Sequence, residues 1–369
     1  MAARRLVVEP RGRPPLAARV LFPVASVLGA GAIGAVLLVA AGHDPIEAYR
    51  RVVQSSFGSD LGWVRTLISS IPLIFTATAA AVAFRIKVWN IGGEGQFLLG
   101  AIGASGVALA LGDAAPRPFA LLLPLLAGLL AGALWSALAA IPRAYLRTDE
   151  VISTLMLNFV ALHLVNYLIF GTVSFWRDPE YLAFPSGRDI PAVAELPRIW
   201  LRLHWGFPIA VATAVLLWWV LRSSRWGFDV RVIGDSPRAA RYAGMPVARR
   251  IVSVLMVSGA IAGLGGAVHV MGTTMALQPG SLAVGFGYTG IVVAAVARLD
   301  ALAIVPVSIL IAGLTNAGSS LQVIGIPSEI VVLLQGLALL LVAAAEFLLH
   351  NRVGFAARAT RAETTEAAV

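Results

Sequence analysis

Between two apolar stretches lies Trp89-Asn90-Ile91-Gly92-Gly93-Glu94-Gly95-Gln96, the densest group of polar residues in the chain. Three glycines among amides and a carboxylate cannot form an ordinary lipid-facing helix. Non-helical backbone at membrane depth persists only when it is buried in protein or lines a cavity. The segment is therefore either a re-entrant piece of a path or a tight turn at the interface, and its residues leave both readings open. More neutral donors and acceptors sit within apolar stretches: Asn158, His163, Asn166, His269, Asn316 and Gln335. Acids are scarce there, with Glu94 and Glu346 the nearest, whereas a proton-driven pump keeps a carboxylate relay in its membrane helices. Neutral groups suit a polar, uncharged solute, or else tie helices together. The candidate solute contacts are Asn90, Glu94, Gln96, Asn158 and Asn316.

Other chemistry has little to stand on. The sole lysine, Lys87, is not in a G-x-x-x-x-G-K-[ST] loop, so the chain has no ATP-binding P-loop. Five scattered histidines show no metal-ligand spacing, and there is no cysteine and no G-x-S-x-G elbow. A membrane-embedded enzyme would have to use Glu94 with His163 or His269 as acid and base. An assembly scaffold is a third class, but it leaves amides and glycines within the membrane unexplained.

The elements that position these residues follow from composition. Of 369 residues 59% are hydrophobic and 13% charged, with mean hydropathy +0.85. A soluble fold cannot hide that much apolar surface. An all-α integral membrane protein follows, with ten expected spans near 20–41, 66–84, 96–112, 118–141, 151–171, 207–221, 251–273, 286–297, 301–318 and 329–349. The span at 286–297 is short and reads as tilted, broken or extended. The run 20–41 is too long for a signal-peptide core and reads as an uncleaved helix.

With ten spans and the N-terminus inside, inner segments carry 20 basic residues and outer segments 8, which places both termini in the cytoplasm. The net charge of +9 is thus used for orientation, without the basic-aromatic stripe that nucleic-acid binding needs. The expected organisation is a basic N-terminus at 1–19, a polytopic domain at 20–350 and a disordered Ala/Thr/Glu-rich tail at 351–369. Outer segments 43–65 and 172–206, carrying Trp63, Phe175, Trp176, Trp200 and Trp205, read as interfacial helices or caps. Gly128–Gly132 and Gly259–Gly263 form two GxxxG motifs on oppositely directed spans, compatible with an inverted repeat.

The inner loop 222–250 contains Asp235-Ser236-Pro237-Arg238-Ala239-Ala240-Arg241, closed by Gly244. Asp235 or Ser236 can cap a short helix, Pro237 fits its first turn and Gly244 ends it. Such a helix is shaped to dock into a partner's groove.

Asn90–Gln96, Asp149–Asn158, Gly234–Gly244 and Ser258–Ala267 together resemble bacterial ABC importer permeases. The likeness is to the branch of ribose-type sugar permeases and basic-membrane-protein-associated nucleoside permeases, over about residues 40–350. It implies a type II-like permease in the bacterial cell membrane that forms the translocation path by alternating access. Implied partners are a cytoplasmic ATPase that holds ATP and magnesium, an extracytoplasmic solute-binding protein, and a second paralogous permease or a second copy. No cofactor or metal on this chain is implied. The loop helix, Asp235 to Arg241 with Gly244, would be the coupling helix. Nucleosides are the expected solute; a simple sugar such as ribose is the alternative, with riboflavin or a branched-chain amino acid behind it. Family members often carry Asn where Asp235 or Ser236 stands, and Asn-Pro in place of Asp300-Ala301.

Overall fold

The computed structural model describes residues 4–10, 16–180, 185–323, 325–326, scattered positions from 330 to 344, and 351–357. In chain order the elements are β1 (Arg4–Pro10), α1 (Leu16–Ala40), α2 (Pro45–Phe57), α3 (Asp60–Phe84), α4 (Gly93–Leu111), α5 (Arg117–Ile141) and α6 (Glu150–Asn166). A short hairpin follows, β2 (Arg198–Trp200) and β3 (Leu203–His204), then α7 (Gly206–Ser223), α8 (Arg225–Asp235), α9 (Pro237–Tyr242) and α10 (Val247–His269). The last are α11 (Pro279–Leu282), α12 (Phe286–Val296), α13 (Ala301–Gln322) and β4 (Asn351–Ala357).

The chain divides into two compact units, residues 1–49 with 326–369, and residues 50–325. In the first unit β1 pairs antiparallel with β4, Arg4 opposite Ala357 and Pro10 opposite Asn351. In this register Leu6 is opposite Phe355 and Val8 is opposite Val353. β4 occupies the start of the tail; residues 358–369 lie outside the described ones. Within the same unit the Tyr49 hydroxyl donates to the Gly31 carbonyl at 2.6 Å.

The second unit is the helical bundle. Among the described residues eight helices are long and apolar enough to cross a membrane, all between Asp60 and Gln322. They match the eight middle spans of the expected ten. The first expected span is α1, and the tenth, 329–349 with Gln335 and Glu346, falls mainly outside the described residues.

Side-chain size sorts the faces of α5. Leu122, Leu126, Leu130, Leu134 and Leu138 recur every four residues and are exposed, while Pro124, Gly128, Gly132 and Ser136 recur with the same spacing and are buried. In lipid, leucine gains nothing by burial, and small residues let backbones approach. The buried stripe meets α10: a Cβ on Gly263 would collide with the Gly128 carbonyl, and one on Gly132 with that of Gly259. The two GxxxG motifs pack on each other. A Cβ on Gly100 of α4 would likewise strike Gly263, so three helices meet at backbone contact. α3 is buried at every residue from Ser70 to Ala83, with small side chains from Thr76 onward.

The short span at 286–297 is a broken helix. α11 and α12 are joined through Gly285, whose φ of +86° lies in the region that favours glycine. The segment 172–206 is a cap rather than a helix. Its backbone bonds the end of α10 and the turn beyond it, Leu196 N–H to the Met271 carbonyl and Ile190 N–H to that of Met275, both at 2.8 Å.

Candidate functional site

Residues 85–92 form the connection between α3 and α4, two full-length helices, and within it Asn90 is buried in protein. Asn90 and Gln96 pair through their side-chain amides in both directions at 3.1 Å. Asn90 Nδ2 also donates to Ser258 Oγ at 2.9 Å, and Ser258 Oγ donates to the Ala79 carbonyl at 2.6 Å. From α6, Asn158 Oδ1 accepts the Gly95 N–H at 2.8 Å, while its Nδ2 donates to the Ile91 carbonyl at 2.9 Å and Tyr288 Oη at 3.2 Å. Thr154 Oγ1 accepts from Ile91 N–H, and Glu150 accepts from Trp89 N–H while pairing with Arg143 at 2.9 Å. Glu150, Thr154 and Asn158 follow at i, i+4 and i+8, one face of α6, so one face of a single helix satisfies the irregular backbone opposite it.

Glu94 does a different job. Its Oε1 accepts the Gly285 N–H at 2.9 Å and its Oε2 the Gly287 N–H at 2.6 Å. These amides open α12, where the broken helix leaves N–H groups without intrahelical partners. A carboxylate there meets both the orphan donors and the positive end of the helix dipole.

Asn90, Glu94, Gln96 and Asn158, only 2, 5, 1 and 3% exposed, thus fasten α3, α4, α6, α10 and α12 together. Asn316 lies apart, on α13, and accepts from Ser69 Oγ at 3.0 Å. These two residues line a cavity of about 460 Å³ with Arg65, Arg198, Arg202, Thr273 and Met275. None of the other four candidates reaches it. Three of its arginines went unmarked by the sequence reading, because α3, the β2–β3 hairpin and α13 converge only in the fold. Ser258, Thr154 and Glu150 had a signal, since all three lie in the motifs already singled out.

Behind the cavity wall His204 is buried, and the ring leaves no room for a Cβ on Gly206 or Gly272. Its Nδ1 accepts from Gly206 N–H at 3.1 Å, which leaves Nε2–H to donate to Thr273 Oγ1 at 3.3 Å. Burial pushes the His204 pKa down to about 4 from 6.5. Between those values the unfolded chain takes a proton that the folded one refuses. Stability is therefore full above pH 6.5 and declines as pH falls towards 4, by about 3 kcal/mol over the window. Melting of the purified protein in detergent at pH 7 and 4.5 checks this. His204→Gln flattens the decline by one proton's worth; an unchanged decline in that variant contradicts the assignment.

At the opposite end of α7 the loop 222–250 holds two helices where one was expected. Residues 225–235 are helical as α8, so Asp235 ends α8 and stands outside α9. Ser236 is the cap of α9, its Oγ accepting from Ala239 N–H at 3.2 Å. Pro237 opens the helix, Arg238, Ala239, Ala240 and Arg241 fill it, and Gly244 follows at φ +75°. Arg241 lines a groove of about 470 Å³ with Tyr145, Pro246 and Arg249. α8 lies so close to the turn after α3 that a Cβ on Gly234 would collide with the Arg85 carbonyl. Arg85 Nη2 donates to the Leu299 carbonyl at 2.9 Å. Burial lowers its pKa from the usual value, Asp300 opposing the shift and Arg231 adding to it. Asp300 also caps α13, accepting from Leu302 and Ala303 N–H.

His163 is exposed on α6 and Glu94 is buried with both oxygens engaged, so this pair forms no acid–base site. His269 packs against the rings of Phe97 and Phe286, which also touch each other.

Relatives named as ABC transporter permeases align with most of the chain. The glucose ABC transporter permease protein TsgB13 of Haloferax volcanii is 33% identical over 95% of this chain and 94% of its own. The guanosine ABC transporter permease protein NupP of Bacillus subtilis is 32% identical over 88% of this chain and 92% of its own. The nucleoside ABC transporter permease protein NupB of Lactococcus lactis is 30% identical over 85 and 87%. No solved structure matches. Residues 62–364 match the family described as branched-chain amino acid transport system / permease component. With eight apolar helices among the described residues and a buried polar seam, the chain belongs to that family and is a membrane-spanning permease component, not an enzyme.

Proposed function

We propose that this chain is the translocation subunit of an ATP-driven importer in a bacterial cell membrane, and that its solute is a nucleoside. The observation that carries the solute is the likeness, over 85–88% of the chain, to permeases named for guanosine and for nucleosides. The neutral hydrogen-bonding groups of the cavity, Ser69, Thr273 and Asn316, are in keeping with it. A simple sugar is the second reading, favoured by the likeness to a glucose permease.

In this account Asn316 meets the solute, and Asn90, Glu94, Gln96 and Asn158 hold the seam that opens for it to pass. Both termini and the α8–α9 loop face the cytoplasm. There α9 docks on a separate ATPase that carries ATP and magnesium, a solute-binding protein delivers to the cavity end, and a second permease or a second copy completes the pore. Motion of α9 reaches the seam through α8 and the Arg85 turn, which leads directly into residues 88–92. Solute drives the cycle only through different affinities for the two states.

The test is ATP hydrolysis by the transporter reconstituted with its ATPase and binding protein. Guanosine or another nucleoside is expected to stimulate it; stimulation by glucose or ribose alone turns the reading to sugars. In the same assay Gly244→Pro, whose ring cannot adopt a φ of +75°, and the pair Arg238→Glu and Arg241→Glu are expected to lower stimulated hydrolysis at least tenfold. Full stimulation in both would remove α9 from the coupling path.

A further inference from the structure

Of the eight basic residues on the outer segments of the expected topology, three meet at one place. Arg65 of α3, Arg198 of β2 and Arg202 of the hairpin turn all line the cavity that Asn316 also lines. β3, whose Leu203 and His204 are both buried, anchors the hairpin, so Arg198 and Arg202 stand on a fixed element. Among the described residues no carboxylate lines the cavity, and none of the three arginines is paired with one.

The other polar side chains of the lining add to this excess of donors. Asn316 Oδ1 already accepts from Ser69 Oγ at 3.0 Å, and Thr273 Oγ1 from His204 Nε2 at 3.3 Å. The hydroxyl hydrogen of Thr273 is then left to donate, and a guanidinium has five N–H donors and no acceptor. Ile68 and Met275 supply apolar surface for a flat ring. Arg65, Arg198 and Arg202 are exposed, so water and salt screen their charge. What remains selective is the planar fork of N–H groups, which demands two acceptors side by side.

We infer that this wall reads the base of the solute and selects 6-oxopurine nucleosides over 6-aminopurine ones. Guanine and hypoxanthine present O6 and N7 as neighbouring acceptors, the edge that an arginine fork grips in base recognition. Adenine puts an amino donor where O6 would stand, so donor meets donor. The inference rests on the nucleoside reading above and adds which nucleosides and which side chains.

Uptake of inosine and of adenosine into proteoliposomes carrying the permease with its ATPase and binding protein tests it. The two solutes differ only in oxo for amino at C6 and in the proton on N1. The same binding protein serves every variant, so a change in the ratio of their kcat/KM values belongs to the permease. Arg65→Met, Arg198→Met and Arg202→Met together keep the apolar stems and remove the forks. They are expected to lower the inosine to adenosine ratio about fivefold, the lower end of what a bidentate arginine gives. Arg65→Lys, Arg198→Lys and Arg202→Lys keep the charge without the fork and are expected to lower it likewise. An unchanged ratio in either set, in protein that melts like wild type, overturns the inference. So does an equal loss for both nucleosides, which would make the arginines a contact for the binding protein. Should a triple change unfold the chain, the three single changes to Met carry the same comparison, and no effect in any of them overturns it. Uptake of glucose or ribose by the wild type, with neither nucleoside carried, would remove the nucleoside reading and this inference with it.

Discussion

Gly263→Leu is expected to yield no folded protein in detergent, while Leu130→Phe on the same bundle leaves yield and melting temperature unchanged. The difference lies in what each side chain meets. At Gly263 even a Cβ collides with the Gly128 carbonyl and comes 2.8 Å from Gly132 Cα. Overpacking costs about 1–3 kcal/mol where neighbouring side chains can rotate away. Here the neighbours are backbone, so α5 and α10 must separate, and the α4 contact at Gly100 goes with them. Leu130 points away from the bundle, where a larger apolar group loses nothing in lipid. Size-exclusion profiles and thermal melts of both variants check this. A monodisperse Gly263→Leu protein melting within a few degrees of wild type would contradict the packing.

Glu94→Ala is the second large effect. Its carboxylate is the acceptor for two amides that begin a broken helix, and removal leaves both without that partner in a buried place. The expected loss is about 3 kcal/mol of stability, together with transport, because the seam between α4 and α12 loses its tie. Glu94→Gln keeps one acceptor oxygen and is expected to fall between. Melting and solute uptake for the three proteins give the order wild type, Gln, Ala. A different outcome would change the chemistry assigned to this residue: uptake that titrates with a single group, with Glu94→Gln abolishing the titration in a folded protein, would make Glu94 a proton carrier.

The spans were legible because a helix that crosses lipid needs about twenty apolar residues in a row, a signal few other structures produce. The small-residue stripe of α5 and the capped helix at Pro237 were legible for the same kind of local reason. What escaped depends on distant parts of the chain. α8 is an 11-residue amphipathic helix, too short and too polar to read as a span. β1 and β4 are over three hundred residues apart in sequence, and neither reads as a strand without the other. Within the polar seam the residue types did not disclose their partners. Nothing in the local sequence says that Glu94 serves Gly285 and Gly287, or that Asn158 serves Gly95. Asn316 shared the chemistry of the other four candidates and yet belongs to a cavity that Arg198 and Arg202 complete from the hairpin.

The central claim is that this chain forms a path and leaves ATP hydrolysis to a partner held at α9. Co-purification of the tagged chain from its native membrane in mild detergent, with every partner identified, tests it most directly. The account predicts recovery of an ABC ATPase together with a solute-binding protein and a sister permease or a second copy, and loss of the ATPase with Arg238→Glu and Arg241→Glu. Recovery of the chain alone, repeatedly and in more than one detergent, would contradict it.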